Sequence, residues 1–161
     1  MITWGISSNS HNAALAVFSN DSLMFASESE RFSRKKNDPY VCLELVNSAL
    51  KYGDPELICW YENPLRKRWR QIKAGQGPFI DNFTSYFDCK HKFIDHHYSH
   101  ACAGYYTSKF NNCAILVIDA IGEFQTLSIW QARGNDIKLV YELKYPNSIG
   151  LWYSAMTQRI G

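Results

Sequence analysis

Residues 2–26, ITWGISSNSHNAALAVFSNDSLMFA, decide the fold. Ile2 to Ile6 is apolar and β-prone, Ser7 to Asn12 is a polar turn, and Ala13 to Phe18 is apolar again. Ser19-Asn20-Asp21 turns the chain once more before a third strand over Ser22 to Ala26. Three consecutive strands on tight turns are antiparallel neighbours. The period then changes: within Tyr40 to Tyr52, residues Val41, Leu43, Leu45, Val46 and Leu50 fall mostly at helical spacing, stopped by Gly53 and Asp54-Pro55. Leu57 to Tyr61 is a short strand, and Pro64 precedes a basic helix over Leu65 to Ala74, closed by Gly75. Gly75 to Cys89, with Gly77-Pro78 and several aromatics, reads as a loop with one short helix.

The remainder repeats the alternation. Lys92 to Ile94 is a short strand, His97 to Ser108 has helical composition, and Cys113 to Asp119 is a strong strand. Gln125 to Ala132 and Lys138 to Leu143 form a meander through Gly134-Asn135, and Ile149 to Ile160 is a last helix with Leu151, Met156 and Ile160 on its apolar face. This order predicts an α/β architecture, a mixed β-sheet flanked by helices. No repeat, low-complexity tract or Pro/Ser linker marks an internal boundary, so residues 1–161 read as one unit. The sequence stops at Arg159-Ile160-Gly161, in or just after an apolar helix, which reads as the edge of something larger.

Composition narrows the class. The 161 residues are 46% hydrophobic, 20% charged and 15% aromatic, which excludes a disordered tail, a collagenous chain and a charge-rich coiled coil. Lysine and arginine number 17 against 15 acidic residues, so the net charge of +2 gives no global pull toward nucleic acid or an anionic membrane. Five cysteines, odd in number and without a CxxC pair, fit a reducing cytosol better than a disulfide framework or a zinc ribbon. No secretory signal is visible, and the longest apolar stretch, Cys113 to Ile118, stops at Asp119. These features predict a cytoplasmic globular protein.

Five features of the sequence are candidates for chemistry or binding. In His96-His97-Tyr98-Ser99-His100, His96 and His100 are four apart and share one face of a helix, as two imidazole ligands of a metal do. Asp119, at the end of the Ala114 to Ile118 strand, is the natural third ligand. The same spacing equally describes two surface or hydrogen-bonded histidines. Glu28-Ser29-Glu30-Arg31-Phe32-Ser33-Arg34-Lys35-Lys36 sets four cations and hydroxyls after a strand, suiting a phosphate clamp or a solvated charged turn. His11, beside Asn12 in the first turn, is either an acid–base group for a small substrate or merely exposed. The small residues of Asp119-Ala120-Ile121-Gly122-Glu123 let backbone amides approach an anion. Arg66-Lys67-Arg68-Trp69-Arg70 lies on a predicted helix with Leu65, Trp69 and Ile72 as an apolar stripe. It reads as a solvated basic face rather than a nucleic-acid interface. No Walker A, GxGxxG or GxSxG sequence is present.

Taken together, Gly5-Ile6 with His11-Asn12-Ala13-Ala14-Leu15, Glu30 to Lys36, His96 to Ala101, Asp119 to Glu123 and Ser148-Ile149-Gly150-Leu151-Trp152-Tyr153-Ser154 resemble the O-carbamoyltransferases of the nodulation and aminoglycoside-antibiotic type. The resemblance implies an actin-like ATPase (ASKHA, ribonuclease H-like) lobe. It implies chemistry in which carbamoyl phosphate and ATP give carbamoyl-adenylate and pyrophosphate, after which the carbamoyl group passes to a hydroxyl of a small acceptor such as a sugar, an antibiotic or a nucleoside-like molecule. Carried over by position, His96, His100 and Asp119 would hold an iron(II)-like divalent metal touching the nucleotide phosphate. His11 and Lys36 would sit at the carbamoyl phosphate site with Arg31 neutralising phosphate charge, and Gly122 and Glu123 would fall on the cofactor side. Ala120 stands where the family usually has glycine, and Asn12 where it has a small or acidic residue. Enzymes of this type are much longer, so the expectation is an N-terminal lobe that works with a complementary C-terminal polypeptide. A non-catalytic nucleotide- or metal-binding remnant, or a partner subunit of the same fold, is the alternative.

Overall fold

A computed structural model describes residues 1–9, 11–73, 75 and 87–161. The chain divides into two compact units, Met1–Ile94 and Asp95–Gly161. No change of composition marks the join, because a strand runs almost directly into a helix there.

The first unit contains β1 (Ile2–Ser7), β2 (Ala14–Ser19), β3 (Ser22–Glu28), α1 (Glu30–Ser33), α2 (Leu43–Leu50), β4 (Leu57–Trp60), α3 (Pro64–Lys73) and β5 (Lys90–Phe93). Its sheet has the order β3-β2-β1-β4-β5. β2 runs antiparallel to both neighbours, while β4 and β5 run parallel to β1. This is the expected mixed sheet with helices. Alternation sends Trp4, Ile6, Leu15 and Val17 to one face, where Ile58, Trp60 and the Leu45, Val46, Ala49 side of α2 complete a buried core. α2 is shorter than the 40–52 periodicity suggests and starts after Cys42, whose N–H donates to the buried Ser29 hydroxyl at 3.1 Å. It ends where Gly53 turns left-handed (φ +123°) against Ile2, whose Cγ1 lies 3.1 Å from where a Cβ would stand.

Two expectations change here. The stretch after β3 contains a one-turn helix, α1, closed by Arg34 in the left-handed region, where a charged turn was read. In α3 the apolar stripe faces out: Leu65, Trp69 and Ile72 are exposed, whereas Lys67 is buried. The Lys67 ammonium meets Glu62, the Tyr61 hydroxyl and the Asn9 carbonyl, so its polar head is satisfied inside and the basic run is not simply a solvated face. Most of the loop expected over 75–89 lies outside the described residues.

The second unit comprises α4 (His96–Tyr106), the antiparallel meander β6 (Asn112–Gly122), β7 (Gln125–Arg133) and β8 (Asp136–Lys144), and α5 (Ile149–Ile160). Ala101 of α4 packs with Val117 and Trp130 on one face of the meander. Leu116 and Ile118 on the other face are exposed. Leu151, Met156 and Ile160, on the apolar face of α5, are not buried. No helix among the described residues is long and apolar enough to cross a membrane.

Ile58 is fully buried on β4, opposite Trp4 of the central strand β1. Ile58→Ala should lower unfolding free energy by about 3 kcal/mol, from lost transfer energy plus a cavity. Urea unfolding with an unchanged midpoint would place the core elsewhere.

Candidate metal centre

The i, i+4 spacing of His96 and His100 becomes a shared face because α4 starts at His96 itself, behind Asp95 in an extended conformation. Asp119 reaches the same point from β6. The β6–β7 pairing is regular through Ile118 and resumes only at Gly122, so the backbone around Asp119 is released from the ladder. His96 Nε2 lies 2.9 Å from Asp119 Oδ2, and His100 Nε2 lies 3.0 Å from His96 Nε2. One ligand atom from each of the three residues falls within 4.8 Å of the others.

The donor set fits a cation. Three atoms that can each offer a lone pair converge, and a single N–H on His96 Nε2 serves either the carboxylate or the His100 nitrogen, never both along straight lines. A divalent ion meets all three at once. Two imidazoles and one carboxylate suit Fe(II), Zn(II) or a similar borderline metal.

Protonation also favours the ligand-ready forms. The hydrogen bond from His96 lowers the Asp119 carboxyl to about 2, assisted by the Ala120 N–H at 2.6 Å, with burial opposing. His100 is exposed at its rim, yet partial desolvation of its ring and then the neighbouring His96 push the imidazole below its ordinary range, toward the neutral form that binds metal.

The support around the trio was not legible beforehand. A Cβ on Gly122 would stand 2.5 Å from His96 Cδ2, 2.7 Å from His97 Cδ2 and 3.0 Å from Asp119 Oδ2. Gly122 is therefore the space into which the imidazoles fit. Glu123 beside it is buried with φ +57°. His97 is fully buried, with Nδ1 2.7 Å from the Ser128 hydroxyl, which itself accepts from Trp130 Nε1 at 2.7 Å. Burial lowers its proton affinity. From the other side, the Ser148 hydroxyl donates to Ala120 O at 2.7 Å and accepts from Leu151 N–H at 3.0 Å, capping α5. Gly150 has no room for a Cβ, which would lie 2.6 Å from Asp119 O. The Ser148-Ile149-Gly150 motif thus holds the peptide that carries Asp119.

The remaining predicted residues belong to the first unit. Asn9 N–H donates to Pro39 O and Ala13 N–H to Asp38 O, both at 2.7 Å. The turn bearing His11 and the segment following Lys36 are thereby pinned to each other at one end of the sheet. Asp38 is buried, and its carboxyl is held below the usual range by the Ser33 hydroxyl, the Tyr40 N–H and Lys35. His11 Nδ1 lies 3.0 Å from Asn12 Oδ1, and Asn12 takes the left-handed conformation (φ +56°) that asparagine tolerates. His11, Lys36 and Arg31 are all exposed, and Arg31 makes a 3.8 Å surface pair with Glu30.

The sequence from residue 65 to 161, more than half of the chain, matches the model of the family described as Carbamoyltransferase N-terminus. The chain belongs to that family. The metal trio and the Ser148 motif of this carbamoyltransferase N-terminal domain lie inside the matched span, whereas His11, Arg31 and Lys36 precede it. The chain is also similar to an uncharacterized protein of Synechocystis sp., at 29% identity over 98% of the chain and 31% of that protein. A second relative, an uncharacterized protein of Methanocaldococcus jannaschii, is 25% identical over 94% of the chain and 28% of its own length. The chain thus spans about a third of the length of these relatives.

Gly122→Ala should displace the imidazoles and weaken Fe(II) or Zn(II) binding at least tenfold with the fold retained, read as metal content after dialysis. Unaltered content would remove Gly122 from the site. The folded pKa values of His100 and His97 are depressed, so the stability they contribute is present above about 6.5 and is lost as pH falls through their folded values. Asp119 has the same sign, its share being lost as pH falls from about 4 toward 2. In the metal-free protein the His97 and His100 ring protons should titrate below about pH 6.5 by NMR; midpoints above that value would contradict the burial argument.

Proposed function

We propose that the chain is the N-terminal part of an ATP-dependent O-carbamoyltransferase, which forms carbamoyl-adenylate from carbamoyl phosphate and ATP and passes the carbamoyl group to a hydroxyl of a small acceptor. The observation that carries this reading is the convergence of His96, His100 and Asp119 in a member of a carbamoyltransferase family. In this reading the trio holds a divalent metal, Fe(II) first among the candidates, which supplies positive charge to polarise phosphate oxygens. A set of three protein ligands leaves room on the ion for substrate.

The balance of the reaction assigns work to the other residues. Water takes the phosphoryl group of carbamoyl phosphate, the P–O bond to the carbamoyl group breaks, and inorganic phosphate and carbamate result. An oxygen of the carbamate then bonds to the α-phosphorus of ATP while the bond to the β-phosphate breaks and pyrophosphate leaves. Finally the acceptor oxygen attacks the carbamoyl carbon, AMP departs, and the hydroxyl proton goes to a base. Each stage gathers negative charge, so positioned cations count for more than a protein nucleophile. Lys36 and Arg31, exposed near the His11 turn, suit the phosphate of carbamoyl phosphate. His11, with Nδ1–H directed to Asn12, offers Nε2 as a proton acceptor. Gly122 and Glu123 belong to the nucleotide side through the backbone of their turn. The acceptor pocket and further cationic groups are assigned to a complementary C-terminal polypeptide, consistent with the third of its relatives that this chain spans.

The test is pyrophosphate release from ATP that depends on carbamoyl phosphate, with Fe(II) supplied. The isolated chain should show none. Turnover should appear when the complementary part of a longer relative is added, and should fall at least a hundredfold with His96→Ala or Lys36→Ala. His96→Ala should also lose bound metal in the isolated chain. Metal bound but silence in both assays would favour a non-catalytic remnant.

A further inference from the structure

Lys67 is 8% exposed and its partner Glu62 7%, at the end of the sheet where the His11 turn begins. The placement follows from register. β1 and β4 are parallel with Ile6 opposite Trp60, and the Tyr61 N–H donates to Ile6 O, so Tyr61 and Glu62 leave the sheet beside the exit of β1. α3 then turns back and brings Lys67 to the same spot. Its ammonium donates to the Asn9 carbonyl at 2.9 Å, to the Tyr61 hydroxyl at 3.3 Å and to the Glu62 carboxylate. All three N–H donors of the lysine are used. Asn9 is left-handed (φ +71°), and both of its backbone polar groups are engaged, the N–H by Pro39 and the carbonyl by Lys67.

We propose that Lys67, paired with Glu62, is a positioning residue for His11: by holding the Asn9 carbonyl it fixes the turn that presents the imidazole. The proposal rests on the reading of His11 as part of the carbamoyl phosphate site. A buried ion pair is costly to desolvate and is weak evidence for stability. Here it places a strong donor on a backbone carbonyl two residues from a candidate catalytic histidine. Because Glu62 cancels the lysine charge, Lys67 adds little net field for an anion, and its contribution is geometric.

The test uses the full 161-residue chain carrying Lys67→Met together with Glu62→Gln, so that both charges of the pair are removed together. Two quantities are read by NMR: amide exchange at Asn9 and Ala13, and affinity for inorganic phosphate and carbamoyl phosphate by shift titration. Exchange at both amides should rise at least tenfold while Val17 in β2 stays protected, and affinity should fall about tenfold. In a His11→Ala background the same change should weaken binding no further, since residues acting through one group are not additive. Tyr61→Phe, which removes one lysine partner without stranding a charge, should give smaller changes of the same sign and serves if the double variant does not fold. Unchanged affinity where His11→Ala weakens binding, or additive losses, would overturn the proposal. If His11→Ala itself leaves binding unchanged, the functional reading falls, and unaltered exchange at Asn9 and Ala13 would then dispose of the clamp as well.

Discussion

The short contact between His96 Nε2 and Asp119 Oδ2, with His100 Nε2 closing in behind, is the constraint around which the second unit is built. Three lone-pair-bearing groups do not gather unless the backbone is forced to bring them there. The force comes from several sides. α4 begins at His96, β6 leaves its ladder before Gly122, Gly122 has no side chain, and α5 is capped by a serine that also holds the Ala120 carbonyl. A helix N-terminus, a strand irregularity, two glycines and a cap would each be unremarked alone. Together they fix one carboxylate oxygen against two ring nitrogens.

The first unit solves a different problem, that of presenting exposed polar groups from a rigid base. His11, Arg31 and Lys36 are all solvent-accessible, yet the segments bearing them are anchored from below. Ser29 is fully buried; its N–H binds Ala13 O and its hydroxyl accepts from Cys42 N–H. Left-handed Asn9, Asn12, Arg34 and Asn37 turn the chain sharply enough to return each segment to the sheet end. Exposed groups on satisfied backbone can meet a mobile anion without the entropy cost of ordering the loops at each encounter.

The strands were legible because their information is local and periodic. Ile2 to Ile6 and Ala13 to Phe18 alternate, and their short connections leave antiparallel pairing as the simplest outcome. The histidine pair was legible for the same reason, four residues on a helix being one face. What escaped reading depends on contacts distant in sequence. Lys67 looks solvated within its own helix, since Leu65, Trp69 and Ile72 offer an apolar stripe to bury instead. Only the return of α3 to Asn9 and Tyr61 inverts that preference, by giving an ammonium group three partners inside. Gly122 likewise reads only as a small residue that lets backbone amides approach an anion, and its role as the space for two imidazoles appears only when α4 and β6 are side by side. The one-turn α1 is too short for any periodicity to reveal.

The two clusters carry opposite electrostatic character, and that bears on what each unit suits. The trio of the second unit is one anion and two imidazoles, of which His100 is pushed below its ordinary range, a donor set that suits a cation. The loops of the first unit expose Arg31, Arg34, Lys35 and Lys36, while the carboxylate of Asp38 is buried and already bonded, a charge balance that suits an anion. Each cluster draws on residues of one unit alone. Holding a cation at the trio and holding an anion at the loops are therefore separate questions of geometry, and each is open to test apart from turnover.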